Sequence, residues 1–258
     1  MDRISAIEEI RRKLQSGGYS VGSWMQIPDS SIAEIMGSSG YDWIAVDIEH
    51  GAVSLSQLPD LFRAIELGNT LPLVRVAKGG STECKRVLDA GAGGVIVPMI
   101  ESASQLEEIR DHCRWPPAGS RGIAFSRANL FGGRFQNYVV EAQAPLLIAM
   151  IESVQGLENI DAILGVDGLD AILIGPYDLS ASLGVTGQFE CKTFIDGLEV
   201  ISNSAKAKQI PLGIHVVEPS RDELLARISK GYRFIAYSID SVMLRRQADY
   251  ENSDLVVS

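Results

Sequence analysis

The sequence predicts a (β/α)₈ TIM barrel, an α/β fold in which eight parallel strands alternate with helices. Short apolar runs rich in Val, Ile and Leu recur along the chain, each followed by a polar turn and a segment of helical period. The runs show little polar alternation, as expected of parallel strands covered on both faces. The length of 258 residues suits one barrel, and no linker or shift in composition divides the chain. We therefore expect a single domain spanning residues 1–258.

The apolar runs and helical patterns give the elements in order. We predict eight strands, at Val21–Ile27, Trp43–Ile48, Pro72–Ala77, Gly94–Ile100, Pro145–Ile151, Ala171–Gly175, Pro211–Val216 and Phe234–Ile239. Helical patterns lie between them, at Ser30–Ser38, Ser54–Leu67, Ser81–Ala90, Ala103–Cys113, Leu157–Leu164, Phe194–Lys208 and Glu218–Ser229. Ser54 and Ser81 are candidate N-caps. Two segments, Arg114–Gly133 and Leu183–Lys192, fall outside the alternation, and we expect them near the barrel mouth or at a subunit contact.

An open, doubly wound sheet is the alternative architecture, since it has the same alternation of strands and helices. Its nucleotide-binding versions carry GxGxxG or GxxxxGK[ST] after a strand, and neither pattern follows a strand here. The glycine-rich pieces of this chain are predicted to be turns.

Composition narrows the possible partners and compartment. With 33 acidic and 23 basic side chains the formal charge is −10, so nucleic acid and anionic membrane surfaces would be repelled. Cys84, Cys113 and Cys191 show no metal-binding spacing, and an odd count argues against a disulfide framework. The N-terminal residues lack the apolar core of a secretory signal, and no apolar run approaches the length of a membrane span. We expect a cytoplasmic protein.

Polar side chains interrupt the apolar runs where strands should end, which is where barrel enzymes carry their chemistry. These residues are Asp47, Glu49, His50, Arg75, Glu152 and Asp178. Each alone has a structural explanation, as a helix cap, an ion-pair partner or a turn residue. Together they are more informative, because an arginine inside an apolar strand needs an anion and strand-end carboxylates need a cation. One cavity holding both would satisfy them at once.

Glu152 and Asp178 offer two hard oxygen ligands and leave coordination positions open for water and substrate. Such a pair suits Mg²⁺, Mn²⁺ or Co²⁺ better than a closed zinc site. A 2-oxo acid could chelate the ion, which would act as a Lewis acid and stabilise an enolate. Arg75 could hydrogen-bond the developing oxyanion, and His50 could move the proton.

The orienting carboxylate of His50 has two candidates. Asp47 lies three residues before His50, and Asp89 lies in the helix that follows the Arg75 strand. Of the other histidines, His215 falls at a strand end where it could line the mouth, whereas His112 is assigned a structural role.

Four motifs in this order resemble the HpcH/HpaI aldolase family, whose members include metal-dependent pyruvate aldolases. The motifs are Asp47/Glu49-His50-Gly51, Leu73-Val74-Arg75-Val76, Ile151-Glu152 and Ile174-Gly175-Pro176-Tyr177-Asp178-Leu179-Ser180. The resemblance runs from about Gly22 to Arg245, nearly the whole chain.

The resemblance implies a TIM barrel that assembles as a homohexamer. The hexamer would be a trimer of dimers in which protomers exchange a C-terminal helix. It also implies a role for each matching residue. His50 would be the base, with Asp89 raising its basicity and Asp47 as its other carboxylate neighbour, and Arg75 would stabilise the oxyanion. Glu152 and Asp178 would be the metal ligands, and Gly175 and Pro176 would bind substrate. The exchanged helix would begin within Ser241–Ala248.

Two positions depart from the family pattern. Many members have glutamine two residues before the metal glutamate, where this chain has Met150, and a small residue before the metal aspartate, where it has Tyr177. Methionine cannot donate the amide hydrogen bonds, and tyrosine fills space and adds a hydroxyl, so the substrate side is altered. The loop 119–132 is expected to shape the aldehyde site, with Arg121 or Arg127 contacting a substrate carboxylate.

The leading functional hypothesis is an aldolase that cleaves a 4-hydroxy-2-oxo acid to pyruvate and an aldehyde, and forms it in reverse. The alternative is an oxaloacetate decarboxylase or a macrophomate-synthase-like enzyme that uses the same enolate. A CoA-ester lyase has less support, because no basic platform for an adenine nucleotide is evident. The hypothesis in which the protein is not an enzyme is a non-catalytic barrel that binds oxo acids.

Overall fold

The computed structural model of the chain describes residues 1–249, which form a closed barrel of eight parallel strands surrounded by helices. The strands are β1 (Ser20–Met25), β2 (Trp43–Asp47), β3 (Leu71–Arg75), β4 (Gly94–Val97), β5 (Leu146–Ile151), β6 (Ala171–Ile174), β7 (Leu212–Val216) and β8 (Phe234–Ile239). Strand β1 pairs with both β2 and β8, so the sheet closes. This closure confirms the predicted barrel and excludes the open sheet.

Twelve α-helices accompany the strands in the described part of the chain. They are α1 (Arg3–Gln15), α2 (Ser30–Gly37), α3 (Leu58–Leu67), α4 (Ser81–Ala90), α5 (Ala103–Cys113), α6 (Phe135–Glu141), α7 (Val154–Glu158), α8 (Ile160–Ile163), α9 (Pro176–Ser182), α10 (Lys192–Lys208), α11 (Arg221–Ser229) and α12 (Asp240–Ala248). A short 3-10 segment spans Arg127–Gly132.

The predicted strands are all present, and their ends differ from the prediction for local reasons. Strand β4 stops at Val97, because Pro98 has no N–H to continue the ladder. Helix α3 begins at Leu58 with Pro59 in its first turn, so Ser54 is not its N-cap. Helix α4 is preceded by Gly80 in the N-cap position, which makes Ser81 its first residue.

Helix α1, which the sequence patterns did not predict, closes the barrel interior at its N-terminal end. Ile7, Ile10 and Leu14 of α1 are buried among the inward-facing side chains of the strands. Above them the indole of Trp43 stacks on the ring of Phe234, with centroids 4.5 Å apart. The helix was missed because its charged residues dominate the N-terminal sequence, while a narrow apolar stripe carries the packing.

The long segment after α5 folds into a compact, packed segment and does not form a loop at the mouth. Trp115, Ala128, Tyr138 and Ala142 form a small buried cluster of their own. Arg121 is buried among them, donating to the Tyr138 hydroxyl at 2.9 Å. The Tyr138 hydroxyl in turn donates to a carbonyl near the end of α4, so this cluster lies toward the N-terminal end of the barrel.

Within residues 1–249 no helix is long and apolar enough to span a bilayer.

Candidate active site

Strand register brings the polar side chains together at the C-terminal end of the barrel, which we call the mouth. Side chains alternate along a strand, so Asp47 follows interior Ala45 and Arg75 follows interior Leu73 on the same side. Asp47 and Arg75 are direct neighbours in the β2–β3 ladder. Two residues predicted from strand ends therefore meet because of the register alone.

Asp47 holds Arg75 in a bidentate ion pair. Its two oxygens accept from Arg75 Nε at 2.9 Å and Nη2 at 2.6 Å, and one also accepts from the Gln26 amide at 2.9 Å. Burial disfavours ionisation of Asp47, but the bonds and charge of Arg75 outweigh it and lower the pKa of this carboxyl. The guanidinium carbon also lies 4.6 Å from the centre of the Trp24 indole. Arg75 is therefore fixed on several sides before any ligand arrives.

The carboxylate nearest the His50 ring is Glu49, with Oε2 at 3.8 Å from Nε2 and 3.4 Å from Arg75 Nε. The Asp47 carboxylate accepts the backbone N–H of His50 at 3.2 Å and is occupied by Arg75, so it does not orient the imidazole as predicted. Gly51 is required by this tight turn, since a Cβ there would collide with the Asp47 carbonyl. The His50 ring itself is 62% exposed.

Glu152 is a buried carboxylate at the end of β5. Its Oε2 accepts the Met99 N–H at 3.0 Å, and the absence of a side chain at Gly175 leaves room for its Oε1. Burial, together with the nearby carboxylates Asp178 and Glu49, raises its pKa to about 7 against the opposing effects of that hydrogen bond and of the Arg75 charge. Such a group is costly to ionise unless a cation approaches.

Asp178 stands in the first turn of α9, exposed to solvent, in the segment that directly follows β6. Pro176 begins this helix, as suits a first helical position. Tyr177 is 55% exposed and packs its ring edge-to-face against Phe189, with centroids 5.1 Å apart. Met150 lies in the barrel interior two residues before Glu152, so the departures at 150 and 177 flank the two carboxylates.

Two predicted site residues, Asp89 and Arg127, lie away from the mouth. Asp89 sits near the C-terminal end of α4, and the helices of such a barrel run back toward the N-terminal end of the strands. Burial raises the pKa of Asp89, with Arg121 and Lys85 as the opposing charges, and it does not contact His50. Within one chain Asp89 therefore does not serve as the His50 partner, because helix direction separates them.

Arg127 is likewise far from the mouth. It donates to the Glu66 carboxylate at 2.6 Å and to the Ala90 carbonyl at 2.9 Å, both at helix ends on the N-terminal side. Within one chain, neither Arg127 nor the buried Arg121 reaches the mouth to make the predicted substrate contact.

Trp24, Gln26 and Glu49 all touch the Arg75 cluster. Glu49 is among the strand-end polar residues that the sequence indicates, although no role was assigned to it, whereas Trp24 and Gln26 were not predicted there. Trp24 lies near the end of β1 and Gln26 directly follows the strand, in an apolar run whose only other polar residue is Ser23. Their place became visible only when β1 closed the barrel next to β2.

At the mouth, the carboxylates Asp47, Glu49, Glu152 and Asp178 lie around the guanidinium of Arg75. Asp47 and Glu49 are matched by that guanidinium, whereas Glu152 and Asp178 have no cation of their own among the described residues. No cluster of three or more His, Cys, Asp or Glu side chains poised for a metal occurs in residues 1–249. A divalent ion would thus find two protein carboxylates and would keep its remaining positions for water or a chelating ligand, a donor set that fits Mg²⁺ and Mn²⁺.

Comparisons with known proteins point to one family. Residues 20–246 match the model of the HpcH/HpaI aldolase/citrate lyase family. A hydroxypyruvate/pyruvate aldolase from Roseobacter denitrificans is 37% identical, covering 92% of this chain and 93% of its own. A 4-hydroxy-2-oxovalerate aldolase from Novosphingobium aromaticivorans is 38% identical, covering 94% and 92%.

Among solved structures, an HpcH/HpaI aldolase/citrate lyase family protein from Burkholderia cenocepacia has a TM-score of 0.86 and 29% identity, covering 93% of this chain and 95% of its own. The fold, the order of the motifs and these relatives give one answer: the chain belongs to the HpcH/HpaI aldolase/citrate lyase family and is a carbon–carbon lyase.

Proposed function

We propose that the protein is a divalent-metal-dependent aldolase that cleaves a 4-hydroxy-2-oxo acid to pyruvate and an aldehyde, and joins them in reverse. The observation that carries this proposal is the buried Glu152, whose pKa is raised to about 7 beside Asp178 in the same mouth as Arg75. A cation site and an anion site side by side suit a chelating 2-oxo acid. The aldolase relatives support this activity above the decarboxylase alternative.

Glu152 and Asp178 are the residues that would hold Mg²⁺, Mn²⁺ or Co²⁺. When bound, the ion would supply Lewis-acid polarisation of the keto group. Met99 N–H fixes one Glu152 oxygen and Gly175 clears the space beside the other, so the carboxylate is oriented before the ion arrives.

Arg75 is the group for the developing oxyanion. Asp47 holds its Nε and Nη2, which leaves the Nη1 edge of the guanidinium free of these two bonds. A donor that is already fixed needs little reorganisation when negative charge builds on the substrate oxygen. The burial of Arg75, whose side chain is 12% exposed, strengthens that interaction by limiting competition from water.

His50 is the proposed proton carrier, with Glu49 beside it. In cleavage a base removes the proton of the C4 hydroxyl, the C3–C4 bond breaks, and its electron pair passes into the enolate of pyruvate. A proton is then delivered to C3. The exposure of the His50 ring allows it to exchange protons with solvent between these steps.

A second candidate is decarboxylation of oxaloacetate, which yields the same enolate by loss of CO₂. It is favoured by one observation, the buried Met150 close to Glu152, since an apolar wall there gives no amide to an incoming aldehyde. A non-catalytic barrel is the third hypothesis, and it predicts no turnover of any oxo acid.

We also propose that the protein is cytoplasmic and assembles as a homohexamer, a trimer of dimers with exchanged C-terminal helices. The free thiols of Cys84, Cys113 and Cys191 suit a reducing compartment. The helix that would be exchanged, α12, exposes 54% of Leu244 and would bury it against a second copy. Light scattering with gel filtration measures the assembly.

The test is ¹H NMR of pyruvate in D₂O with metal-stripped protein, and again after Mg²⁺, Mn²⁺ or Co²⁺ is restored. We expect loss of the methyl signal that requires both metal and His50, because the enolate exchanges its C3 protons with solvent. His50→Ala removes the exchange, whereas the matched variant His112→Ala in α5 keeps it. Absence of exchange with every metal in a folded protein would refute the proposal.

The same preparations then separate the two enzymes. Rates of cleavage are measured on 4-hydroxy-2-oxo acids, and CO₂ release is measured on oxaloacetate with the metal-only rate subtracted. An aldolase gives the larger kcat/KM on the hydroxy-oxo acids. The opposite order would favour the decarboxylase.

A further inference from the structure

Gln26 is a polar residue of the mouth to which the proposed mechanism assigns no task. It directly follows β1, the strand that closes the barrel against β8. Its side chain is half-buried, and its amide Nε2 donates to Asp47 Oδ2 at 2.9 Å. The same oxygen accepts from Arg75 Nη2 at 2.6 Å. Gln26 and Arg75 therefore share one oxygen of one carboxylate.

Asp47 is the residue through which Gln26 can act on the site. Its carboxylate is fully buried, and its other oxygen, Oδ1, accepts from Arg75 Nε at 2.9 Å and from the backbone N–H of His50 at 3.2 Å. Rotation of this carboxylate would displace the proposed oxyanion donor and the turn that carries the proposed proton carrier together. Strand β2 lies between β1 and β3 in the sheet, so Gln26 and Arg75 hold the carboxylate from its two neighbouring strands.

Gln26 is itself held in place from the other side, by the start of α12. Asp240, which is 4% exposed, accepts the backbone N–H groups of Gln26 and Ile27, each at 2.9 Å. The Ser241 hydroxyl donates to Gln26 Oε1 at 3.3 Å. An ionised carboxylate can only accept, so the NH₂ group of the amide faces Asp47 and its oxygen faces Ser241. Both the backbone and the amide of Gln26 are thus fixed before substrate binds.

We propose that Gln26 is a positioning residue, whose amide holds Asp47 in the rotation that aims Arg75 and the His50 turn at the substrate. The proposal rests on the proposed aldolase function, because Gln26 acts through Arg75. A hydrogen bond to an ionised acceptor is stronger than one between neutral groups. An amide supplies that bond without a second cation, so the charge of Arg75 stays available for the substrate oxyanion.

The experiment measures exchange of the pyruvate methyl protons in D₂O as a function of pyruvate concentration, which gives kcat and KM. It uses whichever of Mg²⁺, Mn²⁺ and Co²⁺ supports the fastest exchange in the wild type. Gln26→Met keeps the length of the side chain and removes the donor. We expect kcat to fall about tenfold, the usual effect of losing a hydrogen bond to a charged group. KM should stay within about twofold, because a misplaced oxyanion donor matters most when charge develops on the oxygen.

Gln26→Glu separates the donor from the shape of the side chain. At pH 8 it keeps the shape and presents an acceptor to Asp47, so kcat should fall at least as far as in Gln26→Met. Wild-type kcat in both variants would show that the amide has no positioning role. Gln26→Ala replaces Gln26→Met if the latter does not fold.

A crystal structure of metal-free Gln26→Met, compared with metal-free wild type, tests the position directly. We expect the Asp47 carboxylate to be rotated, with one of its two contacts to Arg75 longer than about 3.5 Å. An ion pair that superposes on that of the wild type would overturn the proposal.

The matched control is Gln143→Met, in a partly buried glutamine that precedes β5 at the N-terminal end of the barrel. Its amide also bonds to the chain, accepting from Ala118 N–H at 3.3 Å and donating to the Pro116 carbonyl at 3.2 Å. The control should keep the kcat and KM of the wild type per folded molecule. Wild-type kcat in Gln26→Met would overturn the role of Gln26 and leave the aldolase function standing. Absence of exchange in the wild type with every metal would instead remove the proposed function, and the role of Gln26 with it.

Discussion

The two ends of the barrel differ in whether their charged side chains have an ion-pair partner within the chain. At the N-terminal end, where α1 closes the interior, Arg3 bonds to Glu66 and Glu141, Arg127 bonds to Glu66, and Arg11 pairs with Asp170 at 2.6 Å. Each of these three cations has a carboxylate partner within the chain. At the mouth, Glu152 and Asp178 lack such a partner in the described chain, and His215 Nε2 lacks a hydrogen bond.

This difference separates structure from function in one fold. A buried charge whose partner is built into the chain stabilises the arrangement and needs nothing else. A buried group without a partner holds free energy that a ligand can recover, so perturbed pKa values gather at functional sites. In TIM barrels the division follows the strand direction, with chemistry at the C-terminal ends and stability at the N-terminal ends.

The largest expected effect is the loss of activity when the negative charge of Glu152, which has no cation partner in the described chain, is removed. Glu152→Gln keeps the acceptor for Met99 N–H but loses the charge that holds a divalent ion. We expect kcat/KM to fall by at least about 10³-fold, since the variant loses Lewis-acid assistance. The measurement is retro-aldol kinetics with titrated metal. Activity within tenfold of wild type would contradict the assignment of Glu152 as a ligand.

The intermediate effect belongs to the N-terminal end. Arg3→Met leaves Glu141 buried without its cation, so the free energy of unfolding should fall by about 3 kcal/mol while kcat per folded molecule stays within twofold. Urea unfolding measures the loss. The double variant Arg3→Met with Glu141→Leu should regain most of it, because the uncompensated charge is gone. A large drop in kcat would show that the two ends are not independent.

The smallest effect is the pH dependence of metal binding. The pKa of Glu152 is about 7, so its ionised fraction rises about tenfold between pH 6 and pH 8, and the metal affinity should rise with it. Isothermal titration with Mn²⁺ at the two pH values tests this. A flat profile would contradict the burial of Glu152 as its controlling feature.

The same group should affect the stability of metal-free protein in the opposite direction. A carboxyl whose folded pKa lies above its unfolded value stabilises the protein at low pH. That contribution is lost as the pH rises from about 4.5 through about 7. Glu152→Gln should remove this slope, and thermal unfolding across the range measures it.

The sequence alone determined the barrel, because parallel strands covered on both faces read as repeated apolar runs and their alternation with helices fits few architectures. It also determined which polar residues end strands. Asp47, Arg75, Glu152 and Asp178 were predicted at the mouth for that reason, and the structure brings them to the same end of the barrel.

Only the tertiary structure decided which of these groups serve one another. The carboxylate beside His50 is Glu49, Asp47 is engaged by Arg75, and Asp89 and Arg127 lie toward the opposite end of the barrel. Closure of β1 against β8 brought Trp24 and Gln26 into the site. The physical reason is that hydrophobic periodicity is a local property that one strand or helix carries by itself. Pairing of charges depends on strand register, helix direction and barrel closure, which arise only when distant segments pack together.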